Sequence, residues 1–237
     1  MNTNGFPRAL LLDLDDTIID DTSSVATGWT AVCQEAATEA PGLDPALLKA
    51  TIYQVRDWYW ADPERARIGR HDLRAASAWI VDEALRRNGI NAPRLGATIA
   101  NRYRDLRDQD VTLLPGAIDA IERFKSAGIR LALLTNGGAA GQRAKLDRFD
   151  LARHFDYVCI EGEFGCGKPD ERVYRAALMA LGCAPSDAWM AGDNLEWDVF
   201  APMKLGVKGI WLDRLQKGLP PGSAKPDRII LSLSELL

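Results

Sequence analysis

At 237 residues, 47% hydrophobic and 26% charged, the chain has a globular composition with apolar material for one large domain or two ordinary ones. A formal net charge of -4 supplies no global basic field for nucleic acid or an anionic membrane surface. No stretch approaches the ~18 apolar residues of a membrane span.

The first predicted element is a strand at Leu10–Leu14, inside "ALLLDLDDTIID". Its apolar run ends in Asp13, Asp15 and Asp16, with Asp20 and Asp21 just beyond. Carboxylates crowded at the mouth of a buried strand repel one another and lose hydration, so a cation or a reaction must require them there. Residues 1 to 8 carry one basic residue and the apolar run breaks at Asp13, too early for a signal peptide; a cytoplasmic location is expected.

From about residue 22 to 110 apolar residues recur at helical spacing, and no strand is predicted. Segments 22–40 and 93–109 read as helices. Between them, "DPALLKATIYQVRDWYW" starts a helix with Asp44 as N-cap and Pro45 at the first helical position. "HDLRAASAWIVDEALRRNG" puts Leu73, Ala76, Ile80, Ala84 and Leu85 on one face and stops at Gly89. Roughly four helices are expected in this block. Within it, "RDWYWADPERARIGRHD" (56–72) combines Trp58, Tyr59 and Trp60 with Arg65, Arg67 and Arg70, a set suited to an aromatic or anionic group, or else to packing between helices.

From 111 onward short apolar runs alternate with amphipathic helices. "IRLALLT" (129–135), "DYVCI" (156–160), "AWMAGD" (188–193) and "VKGIWLD" (207–213) read as buried strands. Helices are predicted near 116–126, 140–149, 170–181 and 197–204, and "GLPPGSAKP" (218–226) as a loop. The alternation implies an α/β fold, a Rossmann-like doubly wound parallel sheet made of residues 1–20 and 111–237, with an all-helical insert at 21–110. Cys33, Cys159, Cys166 and Cys183 form no CxxC pair and show no ligand spacing with His71 or His154, so reduced, mostly buried thiols are expected.

Ligands of open parallel sheets bind at the carboxyl ends of the strands. Those ends carry Asp13 and Asp15, then Thr135 and Asn136, then Lys168 in "GCGKPD", then Asp193 and Asp198 in "GDNLEWD". Each alone is an ordinary turn or cap. Together they bring carboxylates, a hydroxyl and an ammonium to one sheet edge, where hard oxygen ligands suit Mg²⁺ and the lysine and hydroxyl suit a phosphoryl group.

This set resembles the haloacid dehalogenase superfamily, in its phosphatase branch with a helical cap after the first strand. "DLDDT" (13–17), "LLTN" (133–136), Lys168 in "GKPD" and "GDNLEWD" (192–198) stand where its four motifs stand. The resemblance implies that Asp13 is the nucleophile and forms an aspartyl-phosphate, and that Asp15 is the acid, then the base. Asp13, Asp193 and the backbone carbonyl of Asp15 would bind Mg²⁺, and Asp198 would hold a metal-bound water. Thr135 and the backbone N–H of Asn136 would bind phosphoryl oxygens, and Lys168 would offset negative charge. The implied activity is hydrolysis of a small phosphate monoester: a nucleotide, flavin mononucleotide or a sugar phosphate. Asp16 stands where relatives often carry glycine. A carboxylate at Asp15 argues against dehalogenation, since halide needs no proton. The alternatives are a phosphomutase or phosphotransferase on the same scaffold, and a non-catalytic binding module. Specificity is expected in the cap, with Trp58, Trp60, Arg67 and Arg70 as candidates. The cap is expected to open and close, and the protein to be a monomer or small homo-oligomer.

Overall fold

The computed structural model describes residues 6–40, 42–92 and 94–236. Positions 1–5 and 237, at the outer limits of the predicted α/β region, and 93, where one predicted helix begins, lie outside them. The chain divides into two compact units, one of residues 1–20 with 112–237 and one of residues 21–111.

In the first unit β1 is Ala9–Leu12, followed by β2 at Ile19–Asp20. The chain returns at β3 (Thr112–Leu113), then continues through α6 (Ala117–Ser126), β4 (Arg130–Thr135), α7 (Ala139–Arg148), β5 (Tyr157–Ile160) and the single turn α8 (Glu161–Phe164). It ends with α9 (Glu171–Ala180), β6 (Ala188–Gly192), a π-helical segment Leu195–Phe200, the short α10 (Ala201–Met203), β7 (Lys208–Leu212) and β8 (Arg228–Ile230). The labels α1 to α5 belong to the second unit. β1, β4, β5, β6, β7 and β8 form one parallel sheet in the order β5-β4-β1-β6-β7-β8, with β1 in register with both β4 and β6. A strand covered on both faces is apolar at every position, so the leucine run of β1 is a central strand. Ala9 and Leu11 pack with Ala132, Leu134 and the Val173, Tyr174 and Ala177 face of α9. Leu10, Leu12, Leu131 and Leu133 are equally buried, each stabilising the fold by about 1.5–3 kcal/mol.

β8 is a sixth strand that the sequence reading places in no element. "RII" is too short, and too close to the turn-rich 218–226 stretch, to announce itself. β2 and β3 are a two-residue antiparallel pair, Ile19 opposite Leu113 and Asp20 opposite Thr112, where the chain leaves and re-enters this unit.

The second unit holds α1 (Val25–Glu39), α2 (Pro45–Ala61), α3 (Pro63–His71), α4 (Leu73–Arg87) and α5 (Leu95–Asp110). Five helices stand among its described residues, where roughly four were expected. The additional one is α3, hidden because it follows α2 with a single-residue break. That residue, Asp62, caps α3 by accepting from Arg65 N at 2.8 Å, and Pro63 opens the helix. Asp44 caps α2 and Asp72 caps α4 in the same way. Trp29, Val32, Leu48, Ile52, Ile80, Val81, Ala84 and Ala100 form this unit's own core, with Trp29 stacked on Tyr103 at 3.6 Å between centroids. Buried Arg107 donates to Tyr103 Oη at 3.0 Å and to Asp21 Oδ2 at 2.7 Å. No described helix is long and apolar enough to cross a membrane.

Candidate active site

β1 ends one residue before Asp13, whose backbone N–H donates to Ala191 O of β6 at 3.1 Å. The carboxylate is thereby fixed at the carboxyl edge of the central strand, and it is buried. Its Oδ1 accepts from Lys168 Nζ at 2.7 Å and its Oδ2 from Thr17 Oγ1 at 3.1 Å. The next turn reverses the chain: Ile18 and Ile19 donate to Leu14 O, and Asp16 N donates to Ile19 O at 2.7 Å. The turn requires φ of 58° at Asp16, a left-handed conformation that glycine, asparagine and aspartate tolerate best. Aspartate meets that backbone requirement, and its Oδ1 also meets Arg214 Nη2 at 3.1 Å.

Asp198 comes from the π-helical segment after β6. Its Oδ1 accepts from Lys168 Nζ at 2.6 Å and its Oδ2 from Asn194 N at 3.0 Å, while Asn194 Oδ1 accepts from Trp197 N at 3.0 Å. An α-helix is the prediction here. The wider π turn, a feature found often at functional sites, folds the Asp198 carboxylate back against the end of β6. The approach is so close that a Cβ on Gly192 would lie 2.3 Å from Asp198 Oδ2. Asp193 is exposed, and its backbone carbonyl accepts from Trp211 Nε1 of β7 at 2.8 Å.

Lys168 is buried between the two buried carboxylates. Asn136 holds its backbone in a two-point grip, Nδ2 donating to Lys168 O and Oδ1 accepting from Lys168 N, both at 2.7 Å. The asparagine side chain thus positions the lysine, a role its sequence context did not suggest. A Cβ on Gly167 would lie 2.6 Å from Asn136 Oδ1, so only glycine leaves room for this grip. Thr135 is buried at the end of β4 beside Asn136.

The electrostatics follow from this crowding. Burial, opposed by the Lys168 ammonium and reinforced by Asp198, pushes the Asp13 carboxyl up to about 6. Although Asp193 keeps some exposure, the protein packed around its carboxyl, and then the charges of Asp13 and Asp198, push its pKa up. Burial works against the Lys168 ammonium, yet Asp13 and Asp198 hold its pKa above the usual lysine range. One ammonium does not satisfy this many carboxylates. Oxygen ligands of Asp13, Asp193 and Asp198 lie within 4.8 Å of one another, and an all-oxygen donor set with excess negative charge fits a hard divalent cation such as Mg²⁺.

The structure therefore brings Asp13, Lys168, Asp193 and Asp198 together, with Thr135 and Asn136 at the neighbouring strand end. Four further residues belong to this edge. Thr17 orients Asp13; Glu161 is buried and accepts from Gly137 N at 2.9 Å; Gln142 and Lys145 of α7 reach Asp15. Thr17 stands inside the quoted first motif, whereas a glutamine and a lysine three residues apart on a helix carry no signal of their own.

Trp58, Trp60, Arg67 and Arg70 all lie in α2 and α3 of the helical unit. Half-exposed Trp58 stacks on Trp79 with centroids 5.7 Å apart, and the Arg65 guanidinium lies 3.7 Å over its ring. Trp60 packs edge-on to Tyr59, and Arg67 pairs with Glu64 at 2.6 Å. Arg70 is half-buried.

Residues 7–205 match a family model described as haloacid dehalogenase-like hydrolase. Phosphoserine phosphatase of Thermus thermophilus is 34% identical over 97% of this chain and 97% of its own. Human N-acylneuraminate-9-phosphatase is 28% identical over 97% of this chain and 92% of its own. Among solved structures, the magnesium-bound HAD-hydrolase YfnB from Bacillus subtilis superposes with a TM-score of 0.74 at 22% identity, covering 98% of this chain and 97% of that one.

Proposed function

The chain belongs to the haloacid dehalogenase-like hydrolase family, and from that premise we propose a Mg²⁺-dependent phosphatase that cleaves a small phosphate monoester through an aspartyl-phosphate. The observation that carries this reading is the buried Lys168 ammonium held between Asp13 and Asp198, with Asp193 completing an acidic cluster at the strand ends. The relatives named as phosphatases of small phosphorylated metabolites support the substrate class.

In this reading Asp13 attacks phosphorus in line with the leaving oxygen. The P–O bond to the leaving group breaks as Asp15 gives that oxygen a proton. Asp15, now ionised, takes a proton from water, and the resulting nucleophile cleaves the acyl-phosphate to regenerate Asp13 and release inorganic phosphate. Lys168 and Thr17 keep the Asp13 oxygens aimed, and Lys168 lowers the repulsion between a carboxylate and a phosphate dianion. Thr135 and the backbone N–H of Asn136 take the phosphoryl oxygens. Asp13, Asp193 and the backbone carbonyl of Asp15 would hold Mg²⁺, with Asp198 supporting the site through a water, and the ion when bound would neutralise the phosphate and its nucleophile.

A panel of nucleotides, flavin mononucleotide, sugar phosphates, phosphoserine and p-nitrophenyl phosphate, each with and without Mg²⁺, tests this. Release of inorganic phosphate that EDTA abolishes is the expected result. Phosphate transfer within or between sugars without release would establish the mutase alternative, and inertness toward every ester would sink the reading.

Discrimination among esters must come from the leaving group, because phosphate and metal are common to all of them. We assign it to the Trp58, Trp60, Arg67 and Arg70 stretch. Replacing Trp58 or Trp60 by Ala is expected to cost an aromatic leaving group about 1–3 kcal/mol of transition-state binding and to leave a sugar phosphate nearly unchanged. An unaltered substrate ranking in both variants, with melting temperatures recorded, would return these tryptophans to a packing role.

A further inference from the structure

The acid/base residue of the proposed reaction is held by α7. Gln142 and Lys145 stand three residues apart, on one face of that helix. Each takes a different oxygen of Asp15: Lys145 Nζ lies 2.6 Å from Oδ1, and Gln142 Nε2 lies 2.8 Å from Oδ2. The pair is not a solvated surface contact, since the Lys145 side chain is only 15% exposed and that of Asp15 29%. Gln142 is itself buried, and its Nε2 also faces Thr135 Oγ1 and, at 3.0 Å, Asn136 O. Two amide hydrogens thus serve three acceptors. The contact to Asp15 is in competition with contacts to the residues assigned to the phosphoryl oxygens.

We propose that Gln142 and Lys145 are positioning residues for Asp15: they fix its carboxylate by both oxygens and set the side chain where a leaving-group oxygen meets it. The inference rests on the reading of Asp15 as general acid and adds the part of the fold that aims it. The grip has a chemical consequence. To hand a proton to the leaving oxygen, Asp15 must exchange one held oxygen for that contact. Gln142, on α7, bridges the same carboxylate to Thr135 Oγ1 and Asn136 O at the end of β4, so it ties the aim of the acid to the arrangement of those two residues. Loss of the lysine frees Oδ1 and leaves Asp15 with more rotamers, few of them productive.

Phenyl phosphate and p-nitrophenyl phosphate provide the test, because they share a shape while the phenolate needs protonation far more. In Lys145→Met, kcat/KM, which reports the phosphoryl-transfer step that needs the acid, is expected to fall ~10-fold for phenyl phosphate and less than ~3-fold for p-nitrophenyl phosphate. Lys145→Arg, which keeps a cation and a donor, is expected to restore most of the phenyl phosphate rate. In an Asp15→Asn background, Lys145→Met is expected to add almost nothing, because both changes act through one group. Lys145→Gln is measured alongside, so that poor folding of the Met variant does not decide the matter. Equal losses for the two substrates, accompanied by a lower melting temperature, would make Lys145 a structural residue and overturn the proposal. An unchanged ratio in both Lys145→Met and Lys145→Gln would overturn it as well. If Asp15→Asn alone leaves the ratio of the two substrates at the wild-type value, then Asp15 is not the acid and the inference falls with that reading. A shifted ratio in Asp15→Asn without one in the Lys145 variants isolates the failure to the inference.

Discussion

Asp13→Asn is expected to lower kcat toward p-nitrophenyl phosphate by at least ~10⁴-fold, because it removes the proposed nucleophile, the carboxylate that Lys168 and Thr17 hold. Stability is expected to move the other way. The carboxylate is buried and faces Asp198, crowding that pushes its pKa up to about 6, so a neutral amide of the same shape relieves repulsion. Lys168 retains Asp198 at 2.6 Å, and Thr17 retains a neighbour of equal size. The metal-free variant should therefore melt at or above the wild-type temperature, while the gain in melting temperature on adding Mg²⁺ shrinks. Loss of activity with retained or raised stability is a signature that misfolding cannot imitate. Activity within tenfold of wild type would end the case for a covalent aspartyl mechanism, and a fall in melting temperature would end the account of the site's electrostatics.

The parts of the fold that the sequence discloses are those where one physical constraint dominates. β1, β4, β5, β6 and β7 are continuous apolar runs because both faces of a parallel sheet are covered, and such runs are hard to mistake. α2 and α4 show themselves by periodicity and by an aspartate cap at a fixed offset. What stays hidden lacks such a constraint. β8 is three residues, two of them exposed, and it gains its identity only from pairing with β7. α3 is polar, and its one-residue break from α2 leaves no loop to mark the boundary.

The candidate site divides along the same line. Its charged groups are conspicuous because carboxylates and lysines at buried strand ends are costly and therefore rare. Its geometry is not. The Asn136 grip on Lys168 and the α7 hold on Asp15 are contacts between ordinary residues far apart in the chain, and the π-helical turn that returns Asp198 to Gly192 is a local geometry that no residue type announces. Such residues name the chemistry's neighbourhood only after the sheet order has brought them together. The Asp16 position lies between these cases: the residue type is visible, but the left-handed backbone it must adopt shows only in the folded turn.

Asp15→Asn is expected to slow turnover of phenyl phosphate at least ~100-fold, the usual contribution of one general acid/base group. For p-nitrophenyl phosphate the first step should suffer less, since that leaving oxygen departs without a proton, although the hydrolysis of the aspartyl-phosphate still loses its base. Phosphoenzyme is therefore expected to accumulate with the nitrophenyl ester, visible as a burst of nitrophenolate followed by slow turnover. The apparent Mg²⁺ requirement should not change, because the ligand assigned to residue 15 is its backbone carbonyl. A modest stability loss is expected as well. Lys145 Nζ and Gln142 Nε2 are both donors, at 2.6 and 2.8 Å from the two carboxylate oxygens. An amide has one accepting oxygen, so whichever way it turns it sets a donor against a donor, at about 1–2 kcal/mol for the half-buried contact. This penalty applies whether or not a substrate is bound, and so it cannot produce a difference between two esters of the same shape. A substrate-dependent rate loss on top of a substrate-independent loss in melting temperature would show that Asp15 is gripped by α7 and also transfers the proton. Equal rate losses for the two esters with no burst would leave Asp15 only the first of those roles.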